Sequence, residues 1–451
     1  MPCLEILIFM GCTSLAEVHP SIEFHERLVE LNFMGCTNLK SLATRIHLKS
    51  LQLINLSLCS KLEKFPEIQG DMECLGWLNL SDTAIIELPP SVVAKHLKGL
   101  CSLYMGKCKM LERLADNIPQ SVEYLKGLGS LPSNIGEMKF LLSLSLSGSG
   151  TKKLLSSFAQ LSHLEELLCD NCNLDEESIL NLPASLSYLD LRRNKFASLP
   201  ASFTQLTKLK SLYLYGCLSL QKLDSLPSSM WFVSAEDCSS LERYSIPKRG
   251  EFISLDFVEC HKLVVNDGNK KPNIYNSESE LQGIRKIVVP GSEIPSWFSH
   301  TYQSGSEEGM TTPVVCLIMD PNSFHYLKGV YVCAVFGSNQ QYFEEDDCYI
   351  SLRINGKSER VDIVNWVFGI SSDHMMLFHI SCDEFSFEED RKCNYDGCYI
   401  PVSINELLNV KKWGIHLEMD AAQHIGFRGP HSLSPKWAFE KDEDEDEDEE
   451  D

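Results

Sequence analysis

The sequence predicts an α/β solenoid of short parallel strands with few regular helices, followed by an all-β sandwich. Three observations carry that prediction. A twelve-residue phrase, cleanest from Leu209 to Leu220 (LKSLYLYGCLSL), recurs along more than half of the chain. A polar stretch then ends it, and short β-rich runs between turn-forming residues fill the remainder.

Within the phrase, Leu209, Leu212, Leu214 and Leu220 hold positions one, four, six and twelve, and Cys217 holds position nine. Leu212 and Leu214 have the period of two that marks a short strand with one buried face. The phrase starts at Leu4, Leu28, Leu51, Leu75, Leu100, Leu141, Leu164, Leu186, Leu209, Met230 and Phe252, at spacings of 21 to 25 residues with one exception. The exception is the gap of 41 after Leu100, where Val122 to Leu125 reads as the degenerate strand of one shortened coil, its register open between residues 112 and 140.

Position nine holds Cys12, Cys36, Cys59, Cys108, Cys172, Cys217, Cys238 and Cys260, with Thr83, Ser149 and Asn194 as substitutes. A small polar or thiol group there can point inward and hydrogen-bond the backbone of neighbouring turns. Eight of the 18 cysteines are thereby assigned to one structural slot rather than to disulfides. After the turn, Leu-Pro steps at Glu87–Ser91, Ser130–Ser133 and Ser198–Ser202 favour extended or short helical segments on the outer side. Met1 stands three residues before the first repeat, too close for a cap, which predicts that another domain or further repeats precede it.

The expected domain limits are 1–265 for the solenoid, 266–281 for a linker, 282–439 for the β-sandwich and 440–451 for a disordered acidic tail. Strands are expected at Ile284–Val289, Val314–Met319, Gly329–Phe336, Cys348–Ile354, Met375–Ile380 and Trp413–Met419, with a short helix at Ile404–Val410. Of the net charge of −23, the eleven acids and one lysine from Glu440 to Asp451 carry ten. That tail repels itself and stays solvated.

The acidic balance argues against nucleic acid as the main partner, because phosphate binding needs clustered Lys and Arg. No apolar run approaches the length of a membrane span, and Met1 to Glu5 carries no secretory leader, so neither a membrane nor an oxidising compartment is expected. The cytoplasm is the expected location, with the nucleus as an alternative. Two glycosylation sequons, Asn55-Leu-Ser57 and Asn79-Leu-Ser81, fall inside expected strands.

The sharpest local signal is Ile287 to Phe298 (IVVPGSEIPSWF), directly after the repeats. Pro290-Gly291 forms a turn, Pro295 keeps Ile294 extended, Glu293 adds a charge, and Trp297-Phe298 offer large apolar area. Together with Ile350–Gly356, Asp373–Phe378 and Val410–Leu417, this segment resembles the entry motif of the jelly-roll and Ig-like C-JID domain that follows the leucine-rich repeats of plant TIR-NBS-LRR disease resistance proteins. The resemblance covers residues 1 to 439. It implies a leucine-rich-repeat solenoid with a post-repeat jelly-roll/Ig-like sandwich. It further implies a defence role in which both parts bind a pathogen effector or host guardee protein, and an upstream nucleotide-binding domain or full-length receptor signals.

Residues alternating with the buried ones face the concave surface. They give Trp77, Tyr104, Glu166, Asp170, Tyr188, Asp190, Arg192, Tyr213, Tyr215, Phe232, Glu236 and Asp256 as candidate ligand-binding residues, aromatics with interspersed charge. Trp297 and Phe298 are expected to anchor the sandwich core against the solenoid, with direct ligand contact as the alternative. Cys393 and Cys398, with Cys382 or His379, lack the second matched pair of a zinc site, so no metal is expected. No nucleophile motif, catalytic carboxylate pair or Gly-x4-Gly-Lys-Ser/Thr loop occurs, so neither an enzyme nor a cofactor is expected. Alternatives are a repeat-based substrate adaptor of a ubiquitin ligase, which would need a ligase-binding helical motif ahead of the repeats, and a truncated decoy or adaptor pairing with a full-length receptor.

Overall fold

The computed structural model describes residues 4–86, 88–89, 92, 96–108, 118–128, 131, 135–245, 253–263, 284–303, 314–319, 327–337, 349–354, 357–362, 370–381, 398–404 and 410–419. Its contacts divide the chain into two units, Met1–Lys270 and Lys271–Asp451.

In the first unit every copy of the phrase forms a strand at its third to fifth positions, and the strands pair in parallel, in register, in chain order. The ladder runs through Ile6–Ile8, Glu30–Asn32, Leu53–Asn55, Trp77–Asn79, Ser102–Tyr104, Tyr124–Lys126, Ser143–Ser145, Glu166–Leu168, Tyr188–Asp190, Ser211–Tyr213, Phe232–Ser234 and Ile253–Asp256. Position-four residues stack through the interior: Leu31, Ile54, Leu78, Leu103, Leu125, Leu144, Leu167, Leu189, Leu212, Val233 and Leu255 are all buried. Removing that apolar surface from water is what holds coil to coil.

Among the described residues of the gap after Leu100 there is one full strand, Tyr124–Lys126, paired with Ser102–Tyr104 and Ser143–Ser145. The backbone there is unusually tight. Gly127 has φ +83°, and a Cβ on it would overlap the backbone of Gly106, so only glycine fits.

Position eight is left-handed in each described turn. Glycine fills it at Gly11, Gly35, Gly148 and Gly216, and Leu58, Asp82, Lys107, Asn171, Arg193, Asp237 and Glu259 adopt the same positive φ. Position nine then points inward as expected from the second copy on, whereas Cys12 in the first copy is exposed. Cys36 donates to Phe9 O at 2.9 Å, Cys59 to Phe33 O at 3.1 Å, Cys172 to Leu146 O at 3.0 Å and Cys217 to Leu191 O at 3.2 Å. Cys238 donates to Leu214 O at 3.2 Å and Cys260 to Ala235 O at 3.0 Å. Each acceptor is the position-six carbonyl of the preceding coil. Burial pushes the Cys59 thiol up to about 11 and the Cys217 thiol up to about 12, so these groups are protonated donors.

Helical content in this unit is confined, among the described residues, to 3-10 turns of three to five residues such as Pro20–Phe24, Ser156–Gln160 and Ala201–Gln205. The few regular helices expected from sequence reduce to these turns, too short for an α-helical hydrogen-bond ladder. Pro200 caps the last of them at φ −60°, ψ 150°, and Phe203 buries itself beneath it. No helix among the described residues is long and apolar enough to cross a membrane.

The described residues of the second unit form two antiparallel sheets. One runs in the order Ile284–Pro290, His374–Ser381, Leu327–Phe336, Val410–Met419, His300–Gln303. The other runs Val314–Met319, Cys398–Ile404, Tyr349–Ile354, Lys357–Asp362. The six expected strands are present within a few residues of their expected bounds. Three further strands, His300–Gln303, Lys357–Asp362 and Cys398–Ile404, join them. The short helix expected at Ile404–Val410 is bounded instead by strand residues, Ile404 ending one strand and Val410 opening the next, and 405–409 lie outside the described residues. The segment 266–281, the tail 440–451, Cys382 and Cys393 also lie outside them.

Candidate concave binding surface

Strand alternation sends positions three, five and seven to the concave side, and small residues decide which of their side chains meet. Ser211 stands opposite both Tyr188 and Phe232. Its short side chain leaves the room that Tyr213, two residues on, fills by leaning back. The result is a continuous aromatic run across three coils, with ring centroids 4.9 Å apart for Tyr188–Tyr213 and 5.4 Å for Tyr213–Phe232. Partial burial, with Tyr213 as the second cause, pushes the Tyr188 hydroxyl up to about 12, so it is a donor at any physiological pH.

Two guanidinium–carboxylate pairs flank this run. Arg192 grips Asp190 through Nε at 2.9 Å and Nη2 at 2.7 Å, and the same carboxylate accepts the Arg192 backbone N–H at 3.0 Å. Asp190 is only 2% exposed, so it orients Arg192 and leaves the guanidinium as the contact group. The hydrogen bond to Asp190 raises the Arg192 pKa further, so the charge is permanent. Arg193 reaches back to Asp170 of the preceding coil, with Nε to Oδ1 at 2.8 Å.

Among the other sequence-predicted residues, Glu166 accepts from the Ser143 hydroxyl and Glu236 from Ser234 Oγ at 3.2 Å. Asp256 is largely buried, where it accepts the Val258 N–H at 3.2 Å. Tyr215 is exposed at position seven, beside the αL residue Gly216. Trp77 and Tyr104 lie apart from this group in sequence and form a pair of their own, centroids 5.5 Å apart, with Lys126 Nζ 5.8 Å above the Tyr104 ring.

Sequence reasoning passed over position five of the early coils. Asn32, Asn55 and Asn79 stand side by side there. The signal was the repeated Asn-Leu-Ser triplet, read only as a sequon. It also passed over Cys169, at position six, whose hydrogen bond pulls the Cys172 thiol down to about 7.

In the second unit the motif residues build a cluster on their own sheet. Trp297 stacks edge-on against Tyr331 at 5.6 Å and His416 at 5.0 Å, with Phe298 4.4 Å from Trp297 and buried. Tyr331, His379 and His416 are direct cross-strand neighbours. His379 binds Glu418 at 2.8 Å, a hydrogen bond that lowers the Glu418 pKa. Gly291 N–H donates to Asp373 O at 2.9 Å, and Glu293 pairs with Lys412 at 2.7 Å. Pro295 is buried and Ile294 half-buried, while Pro290 ends the first strand.

Residues 47–244 match a family described as Disease resistance protein RPS4B-like, leucine-rich repeats. The chain is 32% identical over 346 residues to Disease resistance-like protein DSC1 of Arabidopsis thaliana, covering 69% of this chain and 24% of that protein. It is 31% identical over 452 residues to Disease resistance protein RPS4 of the same plant, covering 88% of this chain and 34% of the relative. To Disease resistance protein RPS4B it is 25% identical over 469 residues, covering 93% and 37%. The chain thus spans about a quarter to two fifths of the length of these three relatives.

Proposed function

Starting from a chain whose repeats belong to the leucine-rich-repeat family of plant disease resistance proteins, we propose that it is the recognition part of an intracellular immune receptor. It binds a pathogen effector or a guarded host protein through the concave face, with the C-terminal unit as a second contributor. One observation supports this reading above the others: the Tyr188–Tyr213–Phe232 run, with Arg192 held beside it by a buried Asp190. Aromatic rings already stacked and a guanidinium already oriented lose little freedom when a partner arrives. Rings and Arg are also the residue types that dominate protein interfaces energetically.

Binding alone carries no signal, since a ligand acts only through differential affinity for two states. That step is assigned to a nucleotide-binding domain, upstream in the same receptor or on a full-length partner. Tyr188, Arg192, Tyr213 and Tyr215 changed together to Ala should abolish capture of the partner from infected host tissue, and a Tyr188→Ala/Tyr213→Ala/Tyr215→Ala variant, which keeps Arg192 on the buried Asp190, should do so with thermal unfolding nearly unchanged. Equal capture by the quadruple variant would sink the surface.

A further inference from the structure

The early coils carry a second surface whose chemistry differs from the tyrosine run. At position five, Asn32 Oδ1 accepts the Met34 N–H at 3.2 Å, Asn55 Oδ1 the Ser57 N–H at 3.1 Å, and Asn79 Oδ1 the Ser81 N–H at 3.0 Å. Ser57 Oγ adds a second bond to Asn55 Oδ1 at 2.7 Å. These backbone donors fix the amide orientation that is otherwise a matter of assignment. With the oxygens pinned at the coil, each Nδ2 is left as the outward end. Asn32 Nδ2 reaches Glu30 at 3.4 Å, whereas those of Asn55 and Asn79 meet no acceptor among the described residues.

The column is neutral and donating, and it is bordered by aromatics. Asn79 stands in register with Tyr104, and Trp77 lies on the Asn79 strand. Ser102, opposite Trp77, is small enough to let Trp77 and Tyr104 meet at 5.5 Å. Glu30, at the far end, disfavours a carboxylate ligand, so the fitting acceptor is an uncharged carbonyl.

Spacing narrows the partner. Neighbouring strands lie about 4.8 Å apart, so Asn32 and Asn79 stand about 9.6 Å apart across the ladder, and the Asn32 amide keeps a second N–H beside the one that reaches Glu30. A polyproline II chain presents carbonyls i and i+3 on one side about 9.3 Å apart, with no internal hydrogen bonds to occupy them. Proline also lacks an N–H, so such a chain matches a surface offering donors, and its rings suit an aromatic border.

We propose that Asn55, Asn79, Trp77 and Tyr104, with Asn32 at the end of the column, form a docking surface for a proline-rich segment in polyproline II conformation. It shares with the proposed function only the use of the concave face. A labelled proline decamer is the probe, uncharged and free of backbone donors, titrated against the full chain by fluorescence anisotropy. Saturable binding is expected. The Asn55→Asp/Asn79→Asp double variant keeps both oxygen caps and removes both donors, so affinity should fall about tenfold or more with unfolding unchanged.

A Trp77→Leu variant, which leaves every cap in place, should show a similar loss and serves if the double variant unfolds. Absence of saturable binding to the native chain, or equal binding by these variants, overturns the inference. Tyr188→Ala/Tyr213→Ala should bind the decamer like the native chain. Failure of the decamer therefore leaves the reading of the later coils standing.

Discussion

The two units of this chain reach buried order by opposite routes. In the solenoid, from the second copy of the phrase on, a position number decides a residue's environment: four and six are interior, eight is left-handed, and a cysteine at nine donates to the coil before. In the C-terminal unit the strand Leu327–Phe336 is buried on both faces, and its contacts occur once each, as in Tyr331 between His379 and His416. A repeat lets one substitution speak for a whole column of sites. A non-repeating sheet requires each contact to be judged by itself.

The strongest way to break the comparison is at position nine. Cys217→Leu removes the donor to Leu191 O and forces extra volume into a fully buried slot. The overfilled core should dominate the cost, about 3 kcal/mol, because Leu191 O keeps the Asn194 amide as a donor when the thiol is lost. Cys217→Asn should stay within about 1 kcal/mol, because Asn194 already fills the slot, donating to Cys169 O at 2.8 Å and Leu191 O at 2.9 Å. Urea denaturation of both variants checks the order. A tolerated Leu would mean that position nine is not read by its hydrogen bond.

The matching probe in the other unit is Gly329, which has no positional rule behind it. A Cβ there would overlap the His379 ring and come within 2.9 Å of Ile380 O. His379 would have to leave Glu418, so Gly329→Ala should destabilise by about 2 kcal/mol. Glu418→Gln provides the control, since in that background the Gly329→Ala substitution should cost less. Equal cost in both backgrounds would separate Gly329 from the His379–Glu418 contact.

How much of this was legible followed the same division. Leucine spacing placed the repeat strands because burial of one face imposes a fixed period, and the cysteine column identified the inward turn. Three C-terminal strands escaped notice, two of them for identifiable reasons. Lys357–Asp362 is polar at all but one position, and Pro401 within Cys398–Ile404 argues against a central strand. The structure accommodates Pro401 because pairing to Tyr349–Ile354 covers only Val402 to Ile404.

On the concave face, alternation gave the side on which Asp190 lies but not its burial under Arg192, which depends on how one long side chain folds back. The aromatic run likewise required Ser211 to be recognised as a space rather than as a polar residue. Asn55 and Asn79 were visible as letters and silent as chemistry, because only the backbone N–H two residues on reveals which end of the amide faces outward.

The smallest expected effect tests whether position eight is a rule of the repeat or a property of its glycines. Leu58 sits there at φ +62°, its side chain 47% exposed, while Gly35 and Gly216 hold the same conformation at φ +75° and +68°. A left-handed conformation crowds Cβ against the following carbonyl, and an exposed leucine recovers little by burial. Leu58→Gly should therefore stabilise the chain by about 1 kcal/mol, relief of the left-handed strain exceeding glycine's greater freedom when unfolded. The opposite change, Gly216→Leu, should destabilise by a similar amount or more, since a Cβ there would also press on Arg193 Cγ at 3.1 Å. Thermal melts of the two variants should move in opposite directions. If both fall, the Leu58 side chain makes a contribution that its position number does not predict, and the solenoid is less regular than its ladder implies.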